Sequence, residues 1–340
     1  MKAVLVSNEA PGGKRSGLAD NLPLSTPYVV QIFPIYACNF KCNYCHFSVE
    51  KEKRKFVTDE VLLNLDLYKK CVDDMCAFPE KIRTLRFVGM GEPLLHKDLP
   101  QMIAYTKKKQ IANRVELITN ASLLTKEMSD ALIEAGLDRM VVSIQGTTPE
   151  SYEQVSHIKL DYDAFVEGLR YFYQHKTTTH VYIKVVDVAL KDEEDKQRFL
   201  DVFGDICDSI GIETAIPLYP DVEYNEVLAQ QNQLTQYGTK VLNEEVCPQP
   251  FYLMQINPDG KVVGCHSISP YPAIFGDCNI EHVCDIWNGP LFNDFRRKML
   301  DGKEQVCDCC KECTLMKYRT FEEDRISRRC EELKEIYERG

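Results

Sequence analysis

Residues 34–48, PIYACNFKCNYCHFS, place Cys38, Cys42 and Cys45 in a C-x3-C-x2-C run. Gaps this short let one loop wrap a single iron–sulfur cube and present three thiolates to three of its irons. The fourth iron is then left without a protein ligand. An iron with an open position can hold an exchangeable small molecule, much as a catalytic zinc differs from a closed structural one. Three close cysteines could also form a structural zinc knuckle, but zinc wants a fourth Cys or His at similar spacing. His46 stands next to Cys45, too close to reach the same ion comfortably. The spacing favours a cluster built for chemistry.

A second group lies far along the chain. CPQPFYLMQINPDGKVVGC, residues 247–265, reads as two β-like runs around the turn Asn257-Pro258-Asp259-Gly260, with a cysteine at each end. EQVCDCCKECTL then supplies Cys307, Cys309, Cys310 and Cys313. The most economical four-thiolate set is Cys247, Cys265, Cys310 and Cys313, with Cys307 and Cys310 as an alternative C-x2-C pair. Two such pairs are also a normal all-cysteine zinc arrangement, so on residues alone zinc and an iron–sulfur cluster both stand. Cys71, Cys76, Cys207 and Cys330 read as ordinary buried helix cysteines.

The elements that must hold these groups alternate. An extended apolar segment, Tyr28 to Ile35, leads into the first cysteine loop. Helix-like Thr58 to Met75, with Thr58 as N-cap, precedes a strand at Thr84 to Val88. Further pairs are a helix from Lys97 to Lys109 with the strand Val115 to Ile118, and a helix from Thr125 to Ala135, ended by Gly136, with Met140 to Ile144. Tyr162 to His175 with His180 to Asp187, and Glu193 to Ile210 with Glu213 to Leu218, complete the series. Six strands alternating with helices imply an α/β fold with a parallel sheet. Along the strands His180, Tyr182 and Lys184 share one face, and Arg86, Glu116, Ser143 and Gln145 obey the same rule. Helices must cover the apolar face, so the polar face looks inward. The tail carries Ile326, Cys330, Leu333 and Tyr337 as one helical stripe over Phe321 to Glu338, expected to pack on the second cysteine group.

The chain has 340 residues, 44% of them hydrophobic, enough for one large domain and a smaller one. Fifteen cysteines in a long chain that starts without a secretory signal point to metal ligation rather than disulfides, and to the cytoplasm. No apolar run reaches membrane-spanning length. A net charge of −11 offers no basic field for a nucleic-acid backbone, so a nucleic-acid partner is not expected.

Three further motifs follow the strands in order. FVGMGEPLLH, residues 87–96, offers Gly89 and Gly91 for close backbone approach to a ligand and Glu92 as an acceptor for an ammonium group. The third strand ends ITNASLLT, with Asn120, and the fourth ends VVSIQGTTPESYEQV, with Ser143 and Gln145. Together with the cysteine loop and Tyr44 just before its last cysteine, this series resembles the radical S-adenosylmethionine (SAM) enzymes. CPxPF…INPDGKVVGC…IWNGPLFNDFR…CCKEC resembles their C-terminal SPASM or twitch extension. GMGEP also occurs in radical SAM RNA methyltransferases, whose remaining pattern this chain does not follow.

The resemblance implies a partial (β/α)6 TIM-like barrel with a small C-terminal cysteine-rich SPASM/twitch domain of β-hairpin and helices. The segments are then a lead-in (1–26, too short to be a leader-binding domain), the barrel (27–219), a connector (220–246), the auxiliary-cluster domain (247–320) and a C-terminal helix (321–340). It implies a [4Fe–4S] cluster on Cys38, Cys42 and Cys45 whose open iron chelates SAM. Gly89, Gly91, Glu92, Asn120, Ser143, Gln145 and Tyr44 are then the SAM-side residues. One auxiliary [4Fe–4S] cluster is implied on the second group, with Cys278 and Cys284 left as non-ligands. Reductive cleavage of SAM gives a 5′-deoxyadenosyl radical that abstracts a hydrogen atom from substrate, the electron coming from a flavodoxin- or ferredoxin-type partner. A fully ligated auxiliary cluster suits electron removal, hence a two-electron oxidation of a polar small molecule, with Lys184 and Tyr182 as candidates to bind or deprotonate it. The alternatives are an epimerase with Cys284 or Cys278 as hydrogen-atom donor, a peptide maturase acting on a peptide substrate, and, outside enzymology, an electron carrier or redox sensor.

Overall fold

The computed structural model describes residues 2–6, 15–54, 56, 58–219, 222–224, 233–265 and 273–339. Of the expected lead-in and connector, residues 7–14, 220–221 and 225–232 lie outside the described residues.

Six parallel strands stand side by side in chain order: β2 (Val29–Ile32), β3 (Thr84–Phe87), β4 (Val115–Thr119), β5 (Arg139–Ile144), β6 (His180–Val186) and β7 (Ser209–Glu213). The sheet is longer than the expected six. β1 (Val4–Leu5), inside the expected lead-in, pairs parallel with β7. At the other edge β8 (Leu253–Ile256) pairs parallel with β2, and β9 (Lys261–Val263) and β10 (Gly276–Asp277) follow antiparallel. The cysteine-rich segment therefore continues the barrel sheet instead of forming a separate hairpin. Its turn is the expected one, with Gly260 at φ 87°, a conformation that favours glycine.

Helices α1 (Leu65–Met75), α2 (Leu99–Lys109), α3 (Lys126–Glu134), α4 (Pro149–Ser156), α5 (Tyr162–His175) and α6 (Glu193–Phe203) lie between these strands, and α1, α2, α3 and α5 pack in succession. Their caps are local and chemical: Thr125, Asp161 and Asp192 each accept from a first-turn backbone N–H.

Three expectations are corrected. α1 is capped by Asn64, which accepts from the backbone of Asp66 and Leu67, not by Thr58. Residues 61–63 are committed elsewhere, with Leu63 N donating to Pro34 O and Val61 O accepting from Tyr36 N. The helix expected to run to Ile210 ends at Phe203, and the last barrel strand is Ser209–Glu213 rather than Glu213 to Leu218. Gly211 disguised that strand. A Cβ there would lie 2.6 Å from the Tyr182 hydroxyl, so the sheet requires a residue that weakens the strand signal. α4 was not foreseen. Its N-cap Thr148 forms a capping box with Ser151.

Downstream, α7 (Gln249–Tyr252), α8 (Val283–Asn288), α9 (Pro290–Met299), α10 (Asp308–Lys311), α11 (Leu315–Arg319) and α12 (Cys330–Arg339) cover the β8 side and the open end. The tail stripe packs as expected. Ile326 and Leu333 are buried, α12 lies on α9, and the Tyr337 ring is 5.9 Å from that of Phe251. The helix starts only at Cys330, however, after short 3-10 turns. Among the four cysteines expected to be buried, Cys71 and Cys207 are, Cys330 is half-buried and Cys76 is exposed at the end of α1. No helix among the described residues is long and apolar enough to cross a membrane.

The polar inward face is real. Arg86, Glu116 and Arg139 stand in one register row. Glu116 is fully buried and takes Arg86 on Oε1 and Arg139 on Oε2, the latter at 3.0 Å. Burial alone would raise its pKa, yet the three nearby guanidiniums of Arg86, Arg139 and Arg114 hold it below the usual carboxylate value. Removing one partner of a buried pair leaves the others uncompensated, at a cost of about 3–5 kcal/mol. Glu116→Gln should therefore lower the unfolding free energy near neutral pH by roughly 3 kcal/mol in urea melts. Because a depressed carboxyl stabilises only above its unfolded pKa, the difference from wild type should shrink as pH falls below about 4.

Candidate active site

The loop after β2 carries Cys38, Cys42 and Cys45 and is braced from three directions. From β3, the backbone N–H of Glu92 donates to Ala37 O at 2.8 Å. From β4, Asn120 Nδ2 donates to Asn39 Oδ1 at 3.0 Å, and Asn39 Nδ2 donates to Ser122 Oγ at 2.8 Å. From α4, the carbonyls of Ser156 and Val155 accept from Lys41 N and Asn43 N. The unforeseen helix is thus part of the site's support.

Glu92 ties these supports together. Its side chain is buried. Oε1 accepts from Leu94 N at 2.9 Å and from the Thr119 hydroxyl at 2.5 Å, and Oε2 accepts from Asn120 N at 2.7 Å. A carboxylate has about four acceptor positions, so one on Oε2 remains. Burial pushes its pKa up to about 7 despite these bonds. Gly91 is explained by the loop rather than by a ligand, since a Cβ there would sit 2.3 Å from Ile35 O and 2.7 Å from Ala37 O. Gly89, at φ 142°, would strike the Phe33 ring. The Asn120 side chain is likewise spent on structure, its Oδ1 accepting from both Ser122 N and Ser122 Oγ.

These residues open on one cavity of about 240 Å³, well beyond the room an ordered water needs. One wall carries Cys38, Cys42, Cys45, Tyr44, Gly89, Gly91, Glu92, Asn120, Ser143 and Gln145, so every SAM-side residue expected from sequence reaches it. The other wall carries Lys184, Glu213, Tyr219, Gln236 and Arg319. Lys184 is ion-paired to Glu213 at 2.5 Å. Tyr182 does not line the cavity. It is buried one layer down, with its ring 5.2 Å from the Arg139 guanidinium. Sequence reasoning missed Glu213, Tyr219, Gln236 and Arg319. Only Glu213 had a signal, as an acidic residue at a strand end; Arg319 arrives from α11, over a hundred residues downstream.

Neither proposed hydrogen-atom donor reaches the cavity. Cys278 is fully buried against Cys71 of α1, whose contact together with burial pushes its thiol pKa up. Cys284 Sγ donates to Asp74 O at 3.3 Å. Both belong to the packing of α1 against the C-terminal segment.

The residues fit an iron–sulfur cluster and a polar cofactor beside it. Burial pushes the pKa of Cys38 to about 12 and raises those of Cys42 and Cys45, so thiolates there require a compensating cation. Gln145 Oε1 is buried and has no hydrogen-bond donor among the described residues, an acceptor waiting for a ligand. In the second group the Sγ atoms of Cys307, Cys309 and Cys310 all lie within 4.8 Å of one another. Hydrogen bonds from Cys310 and Cys307 lower the Cys309 thiol to about 6, so one thiolate forms readily. Spacing alone had passed over Cys309. Cys247 is pushed up to about 12 by burial and by the charge of Cys313, which faces it. Cys265 lies two residues beyond β9.

The sequence profile of the radical SAM superfamily matches residues 32–199, and that of the iron–sulfur cluster-binding SPASM domain matches residues 247–314. The chain belongs to the radical SAM superfamily. It is a radical SAM enzyme with a C-terminal SPASM domain, using SAM, a [4Fe–4S] cluster and auxiliary iron–sulfur chemistry. It is 25% identical over 315 residues to a tungsten-containing aldehyde ferredoxin oxidoreductase cofactor-modifying protein of Pyrococcus furiosus, covering 82% of this chain and 85% of the relative. It is 22% identical over 286 residues to an S-adenosyl-L-methionine-dependent 2-deoxy-scyllo-inosamine dehydrogenase of Niallia circulans, covering 84% and 92%. In fold it resembles BtrN, solved with AdoMet and 2-DOIA, at a TM-score of 0.53 and 20% identity over 88% of this chain and 97% of that one.

The two cysteine groups should load separately. Anaerobic reconstitution should give roughly eight irons per chain, two four-iron clusters. Cys307→Ala with Cys310→Ala should lose about half of that by elemental analysis. Stoichiometric zinc in the anaerobically purified protein would instead make the second site structural.

Proposed function

We propose that this radical SAM enzyme carries out a two-electron oxidation of a polar small molecule, with one auxiliary [4Fe–4S] cluster taking the second electron. One observation carries the choice over epimerisation. The three loop cysteines are the only thiols lining the cavity among the described residues, so no cysteine is placed to return a hydrogen atom to substrate. The dehydrogenase relative supports the same reading.

When bound, cluster and SAM together supply the hydrogen-atom abstractor. The chain's own residues bind and orient. Cys38, Cys42 and Cys45 would hold the cluster, the remaining acceptor position of Glu92 would take the SAM ammonium, and Ser143, Gln145 and Asn120 would line the rest of the cofactor. Tyr44, enclosed between loop and β5 end, shields the cluster side. Lys184 is held by Glu213 and binds substrate rather than deprotonating it. A flavodoxin- or ferredoxin-type carrier would supply the electron, in keeping with a cytoplasmic enzyme.

The Glu92 assignment gives a pH dependence. An ammonium needs the carboxylate form, and burial puts the titration near pH 7. SAM affinity, measured by equilibrium dialysis, should weaken as pH falls through 7, approaching about tenfold per unit below it. Glu92→Gln should bind at least about tenfold more weakly at pH 8, since its amide nitrogen can accept neither the ammonium nor the Asn120 N–H, and show no such slope.

The reaction class is tested with isotopes. Deuterium should pass from substrate into 5′-deoxyadenosine, one SAM should be consumed per product, and product formed in D2O should carry no solvent deuterium at the attacked carbon. Solvent deuterium at that position would replace oxidation with epimerisation.

A further inference from the structure

The cavity wall opposite the SAM-side residues is charged in an unbalanced way, and the imbalance names a ligand. Glu213, on β7, is buried, with 4% exposure. Its Oε2 receives both available donors, Lys184 Nζ at 2.5 Å and Gln236 Nε2 at 2.7 Å. Its Oε1 receives none among the described residues. Lys184 and Glu213 cancel in charge. Arg319 has no such partner. Its Nε donates to Gln236 Oε1 at 2.7 Å, and among the described residues its two terminal nitrogens make no hydrogen bond or ion pair. A half-buried guanidinium fixed through Nε alone presents the end of its fork to the cavity, the geometry that accepts a carboxylate or phosphate bidentately.

The placement is built. Thr314 Oγ1 donates to Pro217 O at 2.5 Å, Gln236 N donates to Tyr318 O at 3.0 Å, and Thr214 N donates to Gln236 O at 2.8 Å, so α11 and the Gln236 part of the connector are tied to each other and to the residues just after β7. Leu315, Met316 and Tyr318 are buried, which leaves Arg319 as the α11 residue that turns into the cavity. The SAM-side residues come from the β2 loop and the ends of β3, β4 and β5. Arg319, Gln236 and Glu213 come from the far side of β6, where Lys184 stands in register with Ser143 at the boundary.

We infer that Lys184, Glu213, Gln236 and Arg319 form the substrate-recognition wall, and that the substrate carries an oxyanion for Arg319 together with a hydrogen-bond donor, a hydroxyl or amine, for Glu213 Oε1. This rests on the oxidation proposed above and narrows its substrate class. The carboxylate and phosphate forms share the same recognition chemistry.

The test is binding, so it does not depend on turnover. Cluster-reconstituted enzyme saturated with SAM is titrated by calorimetry with inorganic phosphate and, separately, with acetate, each against chloride at equal ionic strength. Wild type should bind at least one of them, the tighter naming the oxyanion. Arg319→Lys should weaken it severalfold and Arg319→Gln at least tenfold, while Arg328→Gln, an exposed arginine outside the cavity, should bind as wild type does. Circular dichroism and iron content check folding, and Arg319→Lys keeps the comparison alive if the glutamine variant does not fold. Binding by Arg319→Gln equal to wild type, no binding of either anion to wild type, or binding seen only without SAM would each overturn the assignment. The last outcome would give Arg319 to the cofactor's carboxylate. Anion binding that persists while the isotope test fails would remove the oxidation and leave the wall standing.

Discussion

The carboxylate of Glu92 is bonded to the ends of two strands, and its own backbone N–H holds the cysteine loop. A buried carboxylate is costly unless its acceptor positions are filled. Here Leu94 N, Thr119 Oγ1 and Asn120 N fill three of them, and Ala37 O takes the Glu92 N–H. Loop, β3 end and β4 end therefore cannot move independently. The same group that locks the loop keeps one acceptor position unfilled among the described residues. Gly89 and Gly91 serve this approach, because any side chain there would meet the Phe33 ring or the carbonyls of Ile35 and Ala37.

Beneath that knot the barrel interior is a charged layer rather than an aliphatic one. Arg86 and Arg139 both pair with the single carboxylate of Glu116 across three neighbouring strands. Such a layer is expensive to desolvate and leaves the strands little choice of register, since a slip of one residue would strand a buried charge. Above it the cavity has two walls of different character. One gathers thiols, neutral acceptors and the Glu92 carboxylate. The other carries a cancelled ion pair and one unbalanced guanidinium. The division follows strand order.

What the sequence determined by itself was the chemistry carried by local spacing. Cys38, Cys42 and Cys45, the GMGEP turn and Asn120 each follow a strand, and strand alternation put Ser143 and Gln145 on the inner face before any contact was known. Helix α5 and the stripe over Ile326 and Leu333 were legible for the same reason, a period written in consecutive residues. Where a local signal competed with a tertiary one the reading failed. Thr58 looked like a cap, but the backbone of residues 61–63 was already paired to the cysteine loop. Gly211 broke a strand pattern because the Tyr182 hydroxyl needs its space.

Only the tertiary structure decided which distant residues share the cavity. Arg319 and Gln236 reach it because α11 and the Gln236 part of the connector are tied to each other and to the residues just after β7 by three hydrogen bonds, none visible as a pattern. Cys278 and Cys284 were excluded from it because α8 and the residue after β10 meet α1, which turns their thiols toward Cys71 and Asp74. Cys309 joined Cys307 and Cys310 because the chain there coils into α10, which brings neighbouring thiols together that spacing arguments count as separate. The physical reason is common to all three. Sequence spacing fixes the geometry of residues within a turn or a strand, whereas the approach of residues a hundred positions apart depends on how whole elements pack.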